Sequence, residues 1–165
     1  MNIVLRNLQP EDWQQVAHIY KEGIQTGHAT FQKEPPTWEG WDKEHLKTCR
    51  VVAEIDDKVV GWAALTPISG RCVYEGVAEV SVYVAYAYRG RKIGLQILEK
   101  LIHDSEKEGI WTLQSGVFPE NTASIKVHEQ AGFRRIGYRE KIGKMNGIWR
   151  DTVLLERRSP IVGVD

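Results

Sequence analysis

Between a strand-like run and a helix-like run the sequence places Arg89-Gly90-Arg91-Lys92-Ile93-Gly94, a turn with the chemistry of an anion site. The first N–H groups of a helix have no partner within it and together carry about half a positive charge, so they donate directly to a phosphate oxygen. Gly90 and Gly94 let the backbone approach a ligand, and Arg89, Arg91 and Lys92 add charge at the rim. Spacing excludes two other phosphate loops. No string fits the Walker pattern G-x-x-x-x-G-K-[ST], and the dinucleotide pattern G-x-G-x-x-G has neither its spacing nor its place after the first strand. Taken alone, the turn reads equally as a surface bend with solvated cations.

Two titratable side chains flank this turn. Glu79, in "EVSVYV", stands three residues before Val82, so alternation sends it to the opposite face of the strand. Strands disfavour Glu, and a carboxylate retained in one can serve as a base or stand exposed. His128 follows Asn121 on a helix, where an imidazole can supply a proton near neutral pH or be structural. His18, His28, His45 and His103 have no ligand spacing with Cys or carboxylates, so no metal is expected.

The elements that must position these residues follow from periodicity. "NIVLRNL" alternates as a strand, and "PEDWQQVAHIYKEGI" opens with Pro10 and spaces Trp13, Val16, Ala17 and Tyr20 at helical intervals. "QTGHATFQKEPPT" is irregular and "WEGWDKEHLKT" a short helix; "RVVAEIDDKVVGWAALTPI" is a hairpin turning at Asp56-Asp57-Lys58. "GVAEVSVYVAY" is a strand, and apolar residues from Ile93 to Ile102 keep helical spacing to a stop at Gly109. "WTLQSGVF" is a strand, and "NTASIKVHEQAGF" a helix capped by Asn121 and ended by Gly132. Two strands close the pattern, through "RRIGYREKIGKM" and "IWRDTVLLER". The order β, α, α, three strands, α, β, α, β, β predicts a mixed α/β sheet in a single domain, residues 1–165, with a loosely ordered tail from about residue 158.

Composition bounds the partners. With 165 residues, 42% of them hydrophobic, the chain can bury a substantial core. Lys plus Arg (22) balance Asp plus Glu (22), so no global field draws nucleic acid or an anionic membrane. Cys49 and Cys72 form neither a C-x-x-C motif nor a disulfide framework and read as reduced thiols. "MNIVLRNLQPEDW" is neither a signal nor a transit peptide, and no apolar run spans a bilayer, so a cytoplasmic protein is expected.

"EVSVYV", "YRGRKIG" and, farther on, "PENTASIKVHEQAGF" resemble the GCN5-related N-acetyltransferase (GNAT) superfamily. "GHATFQKEPPTW", "GRCVYEGVAEVSVYV", "KVHEQAGF" and "NGIWRDTVLLERR" are similar to its phosphinothricin and methionine sulfone (sulfoximine) N-acetyltransferase branch. The resemblance runs from "VLRNLQPED" to "LLERR". It implies a mostly antiparallel sheet with splayed central strands flanked by helices, and acetyl-CoA as co-substrate. The turn Arg89, Gly90, Arg91, Lys92, Ile93, Gly94 and Leu95 would hold its pyrophosphate. Asn121 and Ser124 would flank the pantetheine, and a strand bulge would free the N–H of Val82 or Val84, around Tyr83, for the thioester oxygen. Lys92 stands where the pattern has its first glycine, which predicts right-handed dihedrals there.

The same resemblance makes Glu79 the base that takes the amine proton and His128 the acid that protonates the departing thiolate. Phe31, Arg71, Tyr74, Glu79, Val80 and Ser81 would bind the acceptor, Arg71 by a bidentate contact. Trp149 would lie near the acceptor end, and Gln32 replaces the acidic residue usual after "ATF". The expected protein is a homodimeric, acetyl-CoA-dependent N-acetyltransferase acting on the α-amine of a small amino acid. A protein N-terminal acetyltransferase and a CoA-binding sensor without turnover are the competing readings.

Overall fold

The computed structural model describes residues 2–165. Strand β1 (Val4–Asn7) is followed by a 3₁₀ turn at Pro10–Asp12 and by α1 (Trp13–Gln25). Asp12 secures that corner, its two carboxylate oxygens each accepting from Arg6 at 2.8 Å and one of them also from the Gln9 N–H at 2.7 Å. Helix α2 (Trp38–Glu44) starts at Thr37, whose hydroxyl accepts from the Gly40 N–H at 3.2 Å.

Next come β2 (Val51–Ile55) and β3 (Lys58–Pro67). They turn through Asp56 and Asp57 at φ 51° and 62°, the left-handed pair whose twist matches two antiparallel strands. β4 (Val77–Val84), α3 (Ile93–Lys107), β5 (Thr112–Val117), α4 (Thr122–Gln130), β6 (Arg134–Met145) and β7 (Ile148–Arg158) complete the order that periodicity predicts.

The seven strands form one sheet, β1-β2-β3-β4-β5-β7-β6, in which β4 and β5 are parallel and every other neighbouring pair is antiparallel. β3 lies between paired strands with helices on both faces, which is why its sequence is almost continuously apolar. Alternation divides the central strands between two cores. Val51, Ala53, Ala63 and Leu65 pack with Ile93, Ile97, Leu98 and Leu101 of α3. Val52, Trp62 and Ala64 meet Val16 and Ile19 of α1 and Trp41 of α2. Gly61 sets the approach of α3, since a Cβ there would stand 2.6 Å from Ile97 Cδ1.

The two parallel strands part company early. β4 pairs with β5 only from Val77 to Glu79, opposite Thr112 to Gln114, although β4 continues along β3 to Val84 and β5 along β7 to Val117. The predicted splay is present. The predicted bulge in β4 is not, because its register with β3 is continuous.

The segment after β7, expected to be loose, is fastened. The Ser159 hydroxyl donates to Glu106 at 2.6 Å, and Arg158 donates to the carbonyls of Val162 and Gly163 at 2.7 and 2.6 Å. Burial of Ser159 against α3 leaves its hydroxyl no water, so the side-chain bond holds the chain there. No described helix is long and apolar enough to cross a membrane.

Candidate active site

The splay opens a cleft of about 800 Å³ between β4 and β5. Glu79 stands where the strands separate, and Val80, Ser81, Val82, Tyr83 and Val84 follow along one wall. Backbone direction along β4 decides which amides are available. The Ala85 N–H donates to Val60 at 2.8 Å and the Ile68 N–H to Val77, so odd-numbered residues face β3. The N–H groups of Val82 and Val84 therefore point away from β3, beyond the last β5 partner. A splay without a bulge frees the donors.

At the far end, the turn after β4 runs into α3. The first backbone bond of that helix joins the Gln96 N–H to Lys92 O at 3.2 Å. The N–H groups of Ile93, Gly94 and Leu95 thus precede the helical ladder, and all three residues line the cleft with Arg89, Gly90 and Lys92. These orphan donors are what a pyrophosphate requires.

Lys92 departs from the right-handed expectation, with φ 62° and ψ 19°. It takes the left-handed conformation of the glycine it replaces, at a cost of about 1–2 kcal/mol. The reason is that the chain must reverse there to aim three amides into the cleft. Arg91 does not line the cleft; its guanidinium lies 5.3 Å from the centre of the Tyr88 ring.

The opposing wall comes from β5 and α4. Asn121 Oδ1 accepts from the Ser124 N–H at 3.2 Å, the cap expected from sequence, and its Nδ2 donates to His28 O at 3.2 Å. Both Asn121 and Ser124 line the cleft. His128 is buried at 2% exposure, and its Nδ1 lies 2.7 Å from Ser124 O, so Nδ1 carries the hydrogen. Nε2 is left as a bare acceptor without a partner among the described residues. Burial also lowers the imidazole pKa below its ordinary value. With the Nδ1 hydrogen donated to a carbonyl, the neutral ring presents its lone pair at Nε2.

Glu79 has the electrostatics of a base. Burial raises its carboxyl pKa, and the Arg139 guanidinium and the Gly116 N–H offset part of that rise.

The Acetyltransferase (GNAT) family matches residues 8–133. The chain belongs to the GNAT acetyltransferase family. Enzymes of this family take their acetyl group from acetyl-CoA, and the amide-lined turn and splayed strands are where its parts fit. The phosphinothricin N-acetyltransferase of Alcaligenes faecalis is 33% identical over 164 residues, covering 93% of this chain and 81% of that one. The crystal structure of a ribosomal-protein-alanine N-acetyltransferase from Brucella melitensis is 26% identical with a TM-score of 0.87, over 94% of this chain and 99% of that chain. A GNAT phosphinothricin acetyltransferase from Sinorhizobium meliloti, solved in complex with acetyl-CoA, shares the fold with a TM-score of 0.88 at 24% identity, over 100% of this chain and 92% of that chain.

This GNAT chain closes the acceptor end with a segment that periodicity left irregular. Phe31 packs edge-on against Phe118, ring centres 4.8 Å apart, and lies so close to Gly143 that a Cβ there would approach it to 2.8 Å. Arg150 clasps the same segment. It donates to Gly27 O at 2.9 Å, lies 3.1 Å from His28 Nδ1, and covers the Phe118 ring at 4.1 Å.

Phe31, Glu79, Val80 and Ser81 line the cleft, as expected, but Arg71 and Tyr74 do not. Both are exposed around the 3₁₀ turn before β4, with the Arg71 guanidinium 5.7 Å from the Tyr74 ring centre. The β3–β4 turn carries both away from the cleft wall. Trp149, 55% exposed near the start of β7, lines none of the cleft either. Sequence reasoning missed Ser115, Gly116, Phe118, Thr152 and Arg150. Apart from Phe118, which follows β5, ordinary strand alternation was the one signal they carried.

Proposed function

We propose that this enzyme moves acetyl from acetyl-CoA to the α-amine of a small amino acid, with phosphinothricin, methionine sulfoximine and methionine sulfone as the leading acceptors. The observation that carries the reading is a single cleft with orphan helix amides at one end, a half-buried carboxylate at the other and unpaired strand amides between them. The orphan amides of Ile93, Gly94 and Leu95 bind the pyrophosphate, with Arg89 and Lys92 at the rim. Asn121 and Ser124 flank the pantetheine, and the His128 Nε2 lone pair accepts from one of its donors and so orients the arm.

A peptide-like α-amine with pKa near 8 is only about one-tenth neutral at pH 7, and that of a free amino acid less so. Glu79 takes its proton, directly or through a water, as nitrogen attacks the thioester carbon. The Val82 or Val84 N–H stabilises the oxyanion. The C–S bond then breaks, releasing amide product and the CoA thiolate, which takes a proton from solvent.

The sheet and its helices act as one catalytic domain. The exposed Tyr138, Ile142, Ile148 and Trp149 of the β6–β7 hairpin support a homodimer, and the free thiols of Cys49 and Cys72 support work in the cytoplasm. The likeness to a ribosomal-protein acetyltransferase favours a protein N-terminus as second acceptor class. The Arg150 clasp and the Phe31 wall oppose it, because an extended chain needs an open groove there.

A thiol-release assay with acetyl-CoA over phosphinothricin, methionine sulfoximine, methionine sulfone and a short peptide tests the proposal. Release with the amino acids is expected. Release with the peptide alone would replace the acceptor class, and none with any amine would leave a CoA-binding sensor.

A further inference from the structure

One wall of the cleft has no ladder to hold it. His28, Ala29, Thr30, Phe31 and Gln32 all line the cleft, yet among the described residues positions 28–36 make no backbone-to-backbone hydrogen bond. The turns there are local: Thr26 Oγ1 accepts from the His28 N–H and Thr30 Oγ1 from the Gln32 N–H, each at 3.1 Å. None of the five side chains is fully buried. A segment with few buried contacts and no ladder opens readily unless something outside it supplies the hold.

Strand register brings that hold to the right place. Glu79 is level with Gln114 on β5, and Gln114 with Glu156 on β7. Thr152 and Arg150 follow Glu156 at even steps, so both stand on the face of the sheet that carries Glu79. Arg150 is level with Gly143 on β6, the glycine whose missing Cβ leaves room for the Phe31 ring. Across one register position, a side chain grips the wall and an absent one admits its aromatic residue.

The grip is specific. Arg150 Nη1 donates to Gly27 O at 2.9 Å, Nη2 lies 3.1 Å from His28 Nδ1, and the guanidinium covers the Phe118 ring that Phe31 meets edge-on. The Arg150 side chain is only 11% exposed, whereas Glu120, its ion-pair partner at 3.5 Å, is 51% exposed. Its shorter bonds therefore go to the wall, where a charged donor in a place short of water is worth more than a neutral one. A second tie comes from α4, where the Asn121 amide that caps the helix also donates to His28 O.

We propose that Arg150 sets the width of the acceptor end: by tying Gly27 and His28 to β7 it keeps Phe31 on Phe118 and restricts the site to a free amino acid. The inference rests on the amino-acid acetyltransferase reading and names the residue that enforces it. Arg150 does not line the cleft, so it is a positioning residue that acts through the wall.

The test compares wild type, Arg150→Ala and Arg150→Lys on methionine sulfone and on a tripeptide that begins with it, two acceptors with the same side chain and different length. Loss of the grip should raise KM of Arg150→Ala for methionine sulfone by about tenfold and leave kcat within about threefold, since the base is untouched. The ratio of kcat/KM on the tripeptide to that on methionine sulfone should rise by about tenfold or more. Arg150→Lys should recover part of the difference, because an ammonium reaches one acceptor and lacks the fork that spans two. An unchanged ratio in Arg150→Ala, whether both activities fall equally or neither falls, overturns the proposal. Arg150→Met keeps an apolar stem on the Phe118 ring and serves if Arg150→Ala does not fold. A wild type that prefers the tripeptide, or acetylates neither, removes the acceptor class on which the proposal rests. A wild type that prefers methionine sulfone, with the same preference in Arg150→Ala, removes the Arg150 assignment alone.

Discussion

At one end of the cleft the donors are main-chain N–H groups of three consecutive residues, Ile93 to Leu95; at the other, Phe31, Glu79 and Thr152 come from three separate segments. The first end depends on how the backbone turns. It tolerates Lys92 in place of glycine because Lys92 adopts the left-handed angle that the turn needs. The second end depends on side-chain identity and on strands arriving in register. Side-chain substitutions should therefore be mild at the cofactor end and severe at the acceptor end.

Glu79→Gln is the hardest test of that contrast. Loss of the base should lower kcat by roughly 100-fold or more, with acetyl-CoA affinity unchanged by calorimetry. An intact rate would remove Glu79 from the chemistry. Gly143→Val comes next. Its new side chain displaces Phe31 from the position in which a Cβ alone would approach to 2.8 Å, so acceptor KM should rise by about tenfold, the effect of roughly 1.4 kcal/mol of overpacking. A matching loss of acetyl-CoA affinity would show that the two ends are not separate.

Smaller effects are expected in the turn. Lys92→Gly relieves left-handed strain and should raise Tm by about 2–4 °C for each kcal/mol released. Lys92→Ala keeps the strain and loses the ammonium. If acetyl-CoA affinity falls equally in both, charge governs the turn; if Lys92→Ala matches the wild type and Lys92→Gly alone differs, strain does.

The buried imidazole of His128 gives the smallest signal. Its folded-state pKa lies below the ordinary 6.5, so the unfolded chain binds the proton more readily. Its contribution should leave stability undiminished above that pH and erode it as pH falls through 6.5 toward the folded value. His45, also lowered by burial, adds a term of the same sign. His128→Gln should flatten the profile of Tm against pH over that window, and an unchanged slope would assign the effect to His45.

Much of the architecture was legible because its signals are local. Pro10, Asn121 and the Asp56-Asp57 turn marked element boundaries, and the apolar spacing from Ile93 to Ile102 marked α3. The orphan amides follow from any strand-to-helix turn of this kind. Where Arg71 sits relative to the cleft was not legible, because its loop position carries no information on which way the β3–β4 turn points. Thr152 was invisible because it reaches the cleft only through the placement of β7 beside β5. The tail was read as loose because a Ser-Pro pair does not announce a buried partner such as Glu106.

By itself the sequence determined the order of elements, the cationic glycine turn before α3, the cap of α4 and the face on which Glu79 lies, all matters of residue type and short-range period. Tertiary structure alone decided the splay of β4 from β5, the left-handed Lys92, the tautomer of His128 and the company that Glu79 keeps. The physical reason is range: capping and alternation act within a few residues, whereas burial, register and the field of a distant guanidinium exist only once remote segments are packed together.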